Sequence, residues 1–420
     1  PFLWYNTSNQ IFIMFELRPH QQDTLNAMRQ HRKGQVIVPT GGGKTLCMIN
    51  DALLELESGI KTIVVVCPRL LLANQLCSDF TEHKPDASIL HVHSGDAGNY
   101  HSTTKPDIIS KFCYYFRNQN KLIFTTYHSL HRIKEAGVKV DTIYFDEAHN
   151  SVQKNFFRAT EYYAKLNNVR CYFFTATPKH SAVDWKAGMN DEEVYGDIIC
   201  QVPAPELVEN GYILPPKVVV KQLPRGGDPA ERDHKHLYRT ILEEATNKVL
   251  VCASSTKQIV RLVNESPFVH QMKKLDYSVM YITSKTGAYV DGKKVDRDSF
   301  FKTLSEWGKD DEKKFVVIHH SILSEGINVS GLESVVFMRN MDYITFSQTI
   351  GRVVRMNKKD TDNIRAGRIT AGDVRSYQKP FGLLVVPVYS NVGITTARNL
   401  QDVVDTVFHE GEPAISVIKR

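Results

Sequence analysis

Val38-Pro39-Thr40-Gly41-Gly42-Gly43-Lys44-Thr45 separates two stretches of different character. Before it, residues 35–38 read as a short buried strand, and after it residues 46–54 read as a helix. Strand, glycine turn, Lys-Thr and helix together make a phosphate-binding loop. Three glycines let the backbone turn tightly and aim several N–H groups at one anion. The helix N-terminus adds partial positive charge at the same place. Lys44 can reach outer phosphates, and the Thr45 hydroxyl can hold Mg²⁺. The usual pattern begins with Gly or Ala, and here Val38 takes that place.

Working outward, the pattern alternates. Residues 61–67 are a continuous β-branched run, a buried parallel strand, followed by Pro68-Arg69 and a helix to residue 80. Strands are expected at 121–127, 141–145 and 170–174, the last two running into Asp146-Glu147-Ala148-His149 and Thr175-Ala176-Thr177-Pro178. Strands alternating with helices mean an α/β fold with a doubly wound parallel sheet, which binds ligands at the carboxyl ends of its strands. The polar clusters sit at those ends.

Prolines at 203, 205, 215, 216 and 224 mark a change of character, and the domain junction is placed near 205–215. A second α/β series follows, without a phosphate loop of its own. It has strands at 218–223, 248–253, 278–283, 314–319, 334–337 and 382–388. Helices are expected at 233–247, 256–264, 296–307 and 343–356, and a loop at 287–291. The division is therefore an extension over 1–14, a first domain over 15–207 and a second over 208–420. Met14 is a candidate natural start.

Composition sets bounds. A chain of 420 residues suggests two or three domains, and 42% hydrophobic residues is ordinary for a globular protein. A net charge of +6 and a pI near 8.8 permit a polyanionic partner. Seven cysteines with no C-x-x-C pair fit free thiols in a reducing, cytoplasmic setting, and argue against a zinc site. No apolar run reaches the ~18 residues needed to span a membrane, and the first residues do not look like a signal peptide.

Three clusters carry chemistry. Gln21 opens a helix behind Pro19; its planar amide could make two hydrogen bonds to an adenine edge, with Phe15 or Arg18 stacking on the base, or it could be a polar helix start. Asp146 can hold Mg²⁺ through water, and Glu147 can deprotonate an attacking water. A charged loop after a strand would look the same, so the phosphate loop is what gives the pair meaning. Gln348, Arg352 and Arg355, at i, i+4 and i+7, would share one helix face. Such arginines either answer the charge that builds on a γ-phosphate or form a solvated basic face.

Taken in order, Gln21, the loop, Pro68-Arg69, Thr125-Thr126-Tyr127, residues 146–149, residues 175–178, Ser324-Glu325-Gly326-Ile327-Asn328 and residues 348–355 correspond to ordered motifs. The chain resembles superfamily 2 DEAD/DEAH-box helicases and translocases over about residues 15–356. Leu17 to Gln21, residues 188–196 and residues 379–388 look like restriction-enzyme and large-virus helicase cores. The compact size and residues 281–284 look like UvsW-type phage helicases.

The resemblance implies two tandem RecA-like domains with ATP and Mg²⁺ between them. It implies Gln21, Thr40, Gly41, Gly42, Gly43, Lys44, Thr45 and Gly326 as nucleotide-binding, with Thr45 and Asp146 on the metal. Lys44, Asp146, Glu147, Gln348, Arg352 and Arg355 would be catalytic, the two arginines as arginine fingers. Thr175, Thr177 and His149 would couple hydrolysis to domain motion. Pro68, Arg69, Thr125, Thr126, Ser254 and Ser255 would touch a nucleic-acid backbone. Asn328 stands where many relatives have Asp. DNA is the favoured partner and RNA the alternative, with no membrane and no obligate protein partner expected. The rivals are an NTPase switch that never moves on nucleic acid and a non-catalytic binding scaffold.

Overall fold

The computed structural model describes residues 17–83, 85–320 and 331–418. These divide into two compact units. One holds residues 17–37, 43–175 and 189–202, the other residues 38–42, 176–188 and 203–418.

The first sheet contains β1 (Lys33–Ile37), β2 (Thr62–Cys67), β3 (Ser88–Val92), β4 (His101–Ser102), β5 (Lys121–Thr126), β6 (Thr142–Asp146) and β7 (Arg170–Thr175). After a short β8 (Lys179–Ser181) it is completed by β9 (Ile198–Gln201). Its order is β4-β3-β5-β2-β6-β7-β1-β9, and its pairings are parallel. Central strands read Thr-Ile-Val-Val-Val-Cys and Lys-Leu-Ile-Phe-Thr-Thr, and every residue of both is buried. A parallel strand needs crossover helices on both faces, so it cannot alternate apolar and polar residues. Val64 lies opposite Ile123 on one side and Ile143 on the other. Each such side chain contributes about 1.5–3 kcal/mol by burial.

One buried charge in this unit is held by a network. Asp51 of the Lys44–Glu57 helix is 3% exposed and receives two hydrogen bonds from Arg170, at 3.1 and 3.0 Å, and one from the Tyr144 hydroxyl at 2.6 Å. Glu55, one helical turn on, takes Arg170 at 2.9 Å.

The second sheet is built from β10 (Pro216–Gln222), β11 (Lys248–Cys252), β12 (Ser278–Thr283), β13 (Gly287–Val290), β14 (Lys293–Val295), β15 (Phe315–His319), β16 (Ser334–Phe337) and β17 (Gly382–Val388). Its order is β10-β17-β16-β11-β15-β12-β13-β14. The pairings from β10 to β12 are parallel, and β12-β13 and β13-β14 are antiparallel. The stretch 287–291, expected as a loop, is thus mostly strand. Asp291 and Gly292, at φ 47° and 83°, form the two-residue left-handed turn that suits a hairpin. Tyr289 stacks on Tyr281 of the neighbouring strand, ring centres 4.7 Å apart. The stretch beyond residue 361 supplies β17 and the Asn391–Val404 helix, and β18 (Ser416–Ile418) pairs in parallel with β8. Among the described residues no helix is long and apolar enough to cross a membrane.

Candidate nucleotide site and motor motifs

β1 delivers the chain to the glycine turn. Gly41 and Gly43 have φ of +91° and +88°, a region where other residues are strained. Val38, the departure from the usual pattern, is 1% exposed, and its Cγ1 fills the space that a Cβ on Gly42 would need. A bulky first residue therefore fits because the turn beside it is glycine. Gly43 then caps the Lys44–Glu57 helix, whose first residues are Lys44 and Thr45.

Gln21 lies in the first turn of the Pro19–Gln30 helix and is 2% exposed. Its side-chain carbonyl accepts the Arg18 backbone N–H at 3.0 Å, and its Nε2 faces Gly43. The expected adenine reader is a helix cap in this structure, with its carbonyl committed to its own backbone. Phe15 and the residue 324–328 cluster, Gly326 included, lie outside the described residues.

Asp146 closes β6 and is 6% exposed. The Tyr127 hydroxyl donates to its backbone carbonyl at 3.0 Å, fixing the strand end. Burial, then the neighbouring Glu147, push the Asp146 carboxyl up to about 7, against the pull of Lys44. Glu147 sits at φ 48°, ψ 53°, a left-handed conformation uncommon for a side-chain-bearing residue and worth 1–3 kcal/mol of strain on the usual order-of-magnitude scale. Its Oε2 is buried and accepts no hydrogen bond from the described residues. A carboxylate oxygen in a protected position, with the His149 ring nitrogen 3.5 Å away, suits a group that receives a proton from a water.

His149 shows how this turn is held. The Asn150 side-chain amide donates to Glu147 O at 3.0 Å and to His149 Nε2 at 3.1 Å. With Nε2 accepting, Nδ1 carries the proton, 3.0 Å from Thr175 Oγ1 and 3.5 Å from Glu147 Oε2. Thr175, at the end of β7, is fully buried, as is Thr177. Asn150 was not singled out in the sequence, although its adjacency to the Asp-Glu-Ala-His run was the available signal.

Asp146 and Thr45 are hard oxygen donors, and no cluster of three or more His, Cys, Asp or Glu able to hold a metal occurs among the described residues. Mg²⁺ needs only one or two carboxylates, the rest of its shell being water and phosphate. A buried carboxyl raised by its own desolvation fits that ion.

In the second unit, Gln348 and Arg352 lie one turn apart on the Tyr343–Val353 helix, at 6% and 5% exposure. Arg355 does not share their helix face. The helix stops at Val353; Leu214 N–H donates to Val354 O at 2.6 Å, and Arg355 forms an antiparallel bridge with Ile213. Pairing with residues 213–214 replaces the helical hydrogen bonds that an i+7 position would have used. Burial lowers the pKa of the Arg355 guanidinium from its ordinary value.

Candidate backbone contacts stand at the carboxyl ends of β2, β5 and β11. Arg69 is exposed, and Pro68 is half-buried. The Thr125 hydroxyl donates to Val92 O at 2.8 Å and the residue is fully buried, so its side chain is committed to the sheet. Thr126 Oγ1 lies 3.5 Å from Ser129 Oγ. Ser255 Oγ caps the Thr256–Asn264 helix by accepting Gln258 N–H at 3.1 Å, and Ser254 donates from both N and Oγ to Gln258 Oε1.

A phosphate loop after one strand of a parallel sheet, paired carboxylates ending another, and a second α/β domain define the architecture of a P-loop nucleotide-binding fold on tandem domains. Residues 14–180 match the family described as type III restriction enzyme, res subunit, and residues 233–357 match the helicase conserved C-terminal domain. No curated protein sequence matches the chain. Among solved structures, the ATP-dependent type ISP restriction-modification enzyme LlaBIII bound to DNA is similar, with TM-score 0.69 and 16% identity over 99% of this chain and 32% of that one. Mss116p bound to ssRNA and AMP-PNP gives 0.61 and 15%, covering 96% and 75%. Mycobacterium smegmatis helicase Lhr bound to ssDNA and AMP-PNP gives 0.59 and 17%, covering 93% and 48%. The chain spans about a third of the length of LlaBIII. The two family matches fall in the order of a superfamily 2 helicase core, and the fold is that of tandem RecA-like domains.

Proposed function

We propose that this core hydrolyses ATP with Mg²⁺ and uses the cycle to move on DNA, separating or remodelling strands. The observation that carries the reading is the Glu147 Oε2, buried and accepting no hydrogen bond from the described residues, beside an Asp146 raised by burial. In this reading Lys44 and the glycine-turn N–H groups hold the phosphates, Thr45 and Asp146 hold Mg²⁺, and Glu147 takes the proton of the attacking water. The metal neutralises charge developing on the phosphate oxygens. Gln348, Arg352 and Arg355 answer the γ-phosphate charge when the nucleotide closes the domains. His149, Thr175 and Thr177 couple that step to motion, and Arg69 and the ends of β5 and β11 grip the phosphate backbone. Only a grip that differs between nucleotide states can drive movement.

DNA is favoured by the match to the restriction-enzyme res subunit and the likeness to a DNA-bound restriction-modification enzyme. The test is an ATPase titration of the chain and of Lys44→Ala against single-stranded, duplex and branched DNA and RNA. Stimulation by DNA that vanishes in Lys44→Ala is expected. Equal turnover in that variant would sink the ATP site, and stimulation by RNA alone would reassign the track.

A further inference from the structure

The turn that carries Arg355 is held by a side chain from far along the sequence. Lys379 donates from Nζ to Val353 O at 2.6 Å, to Leu332 O at 2.7 Å and to Arg355 O at 3.0 Å. An ammonium has three N–H donors, and all three are used. Val353 O closes the Tyr343–Val353 helix, where backbone carbonyls lack helical partners and the helix dipole favours a cation, and Arg355 O lies two residues beyond it. The lysine is itself fixed. The Asp360 carboxylate, 1% exposed, accepts Gln378 N–H at 2.9 Å and Lys379 N–H at 3.1 Å. Gly382 packs against the Val353 backbone so closely that a Cβ there would lie 2.8 Å from its carbonyl carbon and oxygen.

We infer that Lys379 is a positioning residue, whose ammonium clamps the end of the Tyr343–Val353 helix and so sets where Arg352 and Arg355 are presented. This rests on the proposed role of those arginines. The clamp needs the charged form, since a neutral amine has two N–H groups for three carbonyls. Burial pushes Lys379 down to about 7; Glu333 and Asp360 raise it, while Arg355 and Lys248 oppose. The clamp is therefore complete below about pH 7 and loses a donor as pH rises through it.

The experiment compares the chain with Lys379→Met and Lys379→Arg at saturating Mg²⁺. Lys379→Met should lower DNA-stimulated kcat about tenfold or more, as small misplacements of catalytic groups do, with KM for ATP nearly unchanged. The parent's rate should fall above about pH 7, and Lys379→Arg, which keeps its charge, should recover most of kcat without that fall. Wild-type kcat in Lys379→Met, or the same alkaline fall in Lys379→Arg, would overturn the inference. Hydrogen exchange reads the clamp without turnover: amides of residues 350–356 should exchange faster in Lys379→Met, and unchanged exchange overturns the clamp. A parent with no stimulated ATPase defeats the functional reading instead, and exchange still decides the clamp.

Discussion

His149 Nδ1 stands 3.0 Å from Thr175 Oγ1, joining the turn after β6 to the end of β7. The donor is fixed by Asn150 on the other ring nitrogen, so the imidazole ties one strand end to the other. His149→Ala removes this link, and with it the ring nitrogen 3.5 Å from Glu147 Oε2, while keeping the Lys44, Asp146 and Glu147 side chains and the Asn150 bond to Glu147 O. Basal ATPase should persist, and its stimulation by nucleic acid should fall about tenfold, a loss of about 1.4 kcal/mol of coupling on the scale allosteric links occupy. Basal and stimulated rates measured side by side check this; undiminished stimulation would count against a coupling role.

Burying Asp146 carries a cost in stability. Burial holds its carboxyl at about 7, above the ordinary value of 3.8. The stabilisation of the protonated form is fully present below pH 3.8 and is lost as pH rises through about 7. Asp146→Asn should therefore raise the melting temperature at pH 8 without Mg²⁺, flatten its pH dependence in that window, and abolish hydrolysis. Melting curves at pH 5 and 8 decide it, and an unchanged or lowered melting temperature at pH 8 refutes it.

The Asp51 cluster should behave in the opposite way. Asp51→Ala strands Arg170 and the Tyr144 hydroxyl in the core, and breaking one partner of a buried pair costs about 3–5 kcal/mol. Here Glu55 retains one contact to Arg170, so the lower end of that range is expected. Denaturant midpoints measure it; a loss below about 1 kcal/mol would mean that the cluster is solvated like a surface pair.

At Gly43 the backbone has φ +88° and a Cβ would collide with Gln21 Nε2. Gly43→Ala should strain the turn and displace the Gln21 cap together, raising KM for ATP about tenfold, equivalent to about 1.4 kcal/mol. Steady-state kinetics supply the check, with an unshifted KM as the contrary result.

The sequence made the parallel sheets legible because their strands are continuous apolar runs: residues 278–283 and 382–388 were bounded correctly, as was the helix at 256–264. What it hid was set by distant partners. Residues 343–356 read as one helix because nothing local stops it at Val353; the stop comes from Leu214 and Lys379. Gln21 read as base reader or polar helix start because one amide can do either, and its bond from Arg18 N–H is not visible in local sequence. The short edge strand β4 and its neighbour β3 carry histidines and polar residues and gave too little apolar signal. The hairpin at 287–295 did have a local mark, the Asp291-Gly292 pair.

Glu147 is aimed by its own main chain, through a left-handed turn that Asn150 pins at the carbonyl. Nothing in that arrangement needs the side chain to be an acid. Glu147→Gln, of the same size, would keep the aim and lose the ability to accept a proton. Such a variant should load nucleotide and stall, giving a long-lived complex in which the bound polymer could be captured and identified directly.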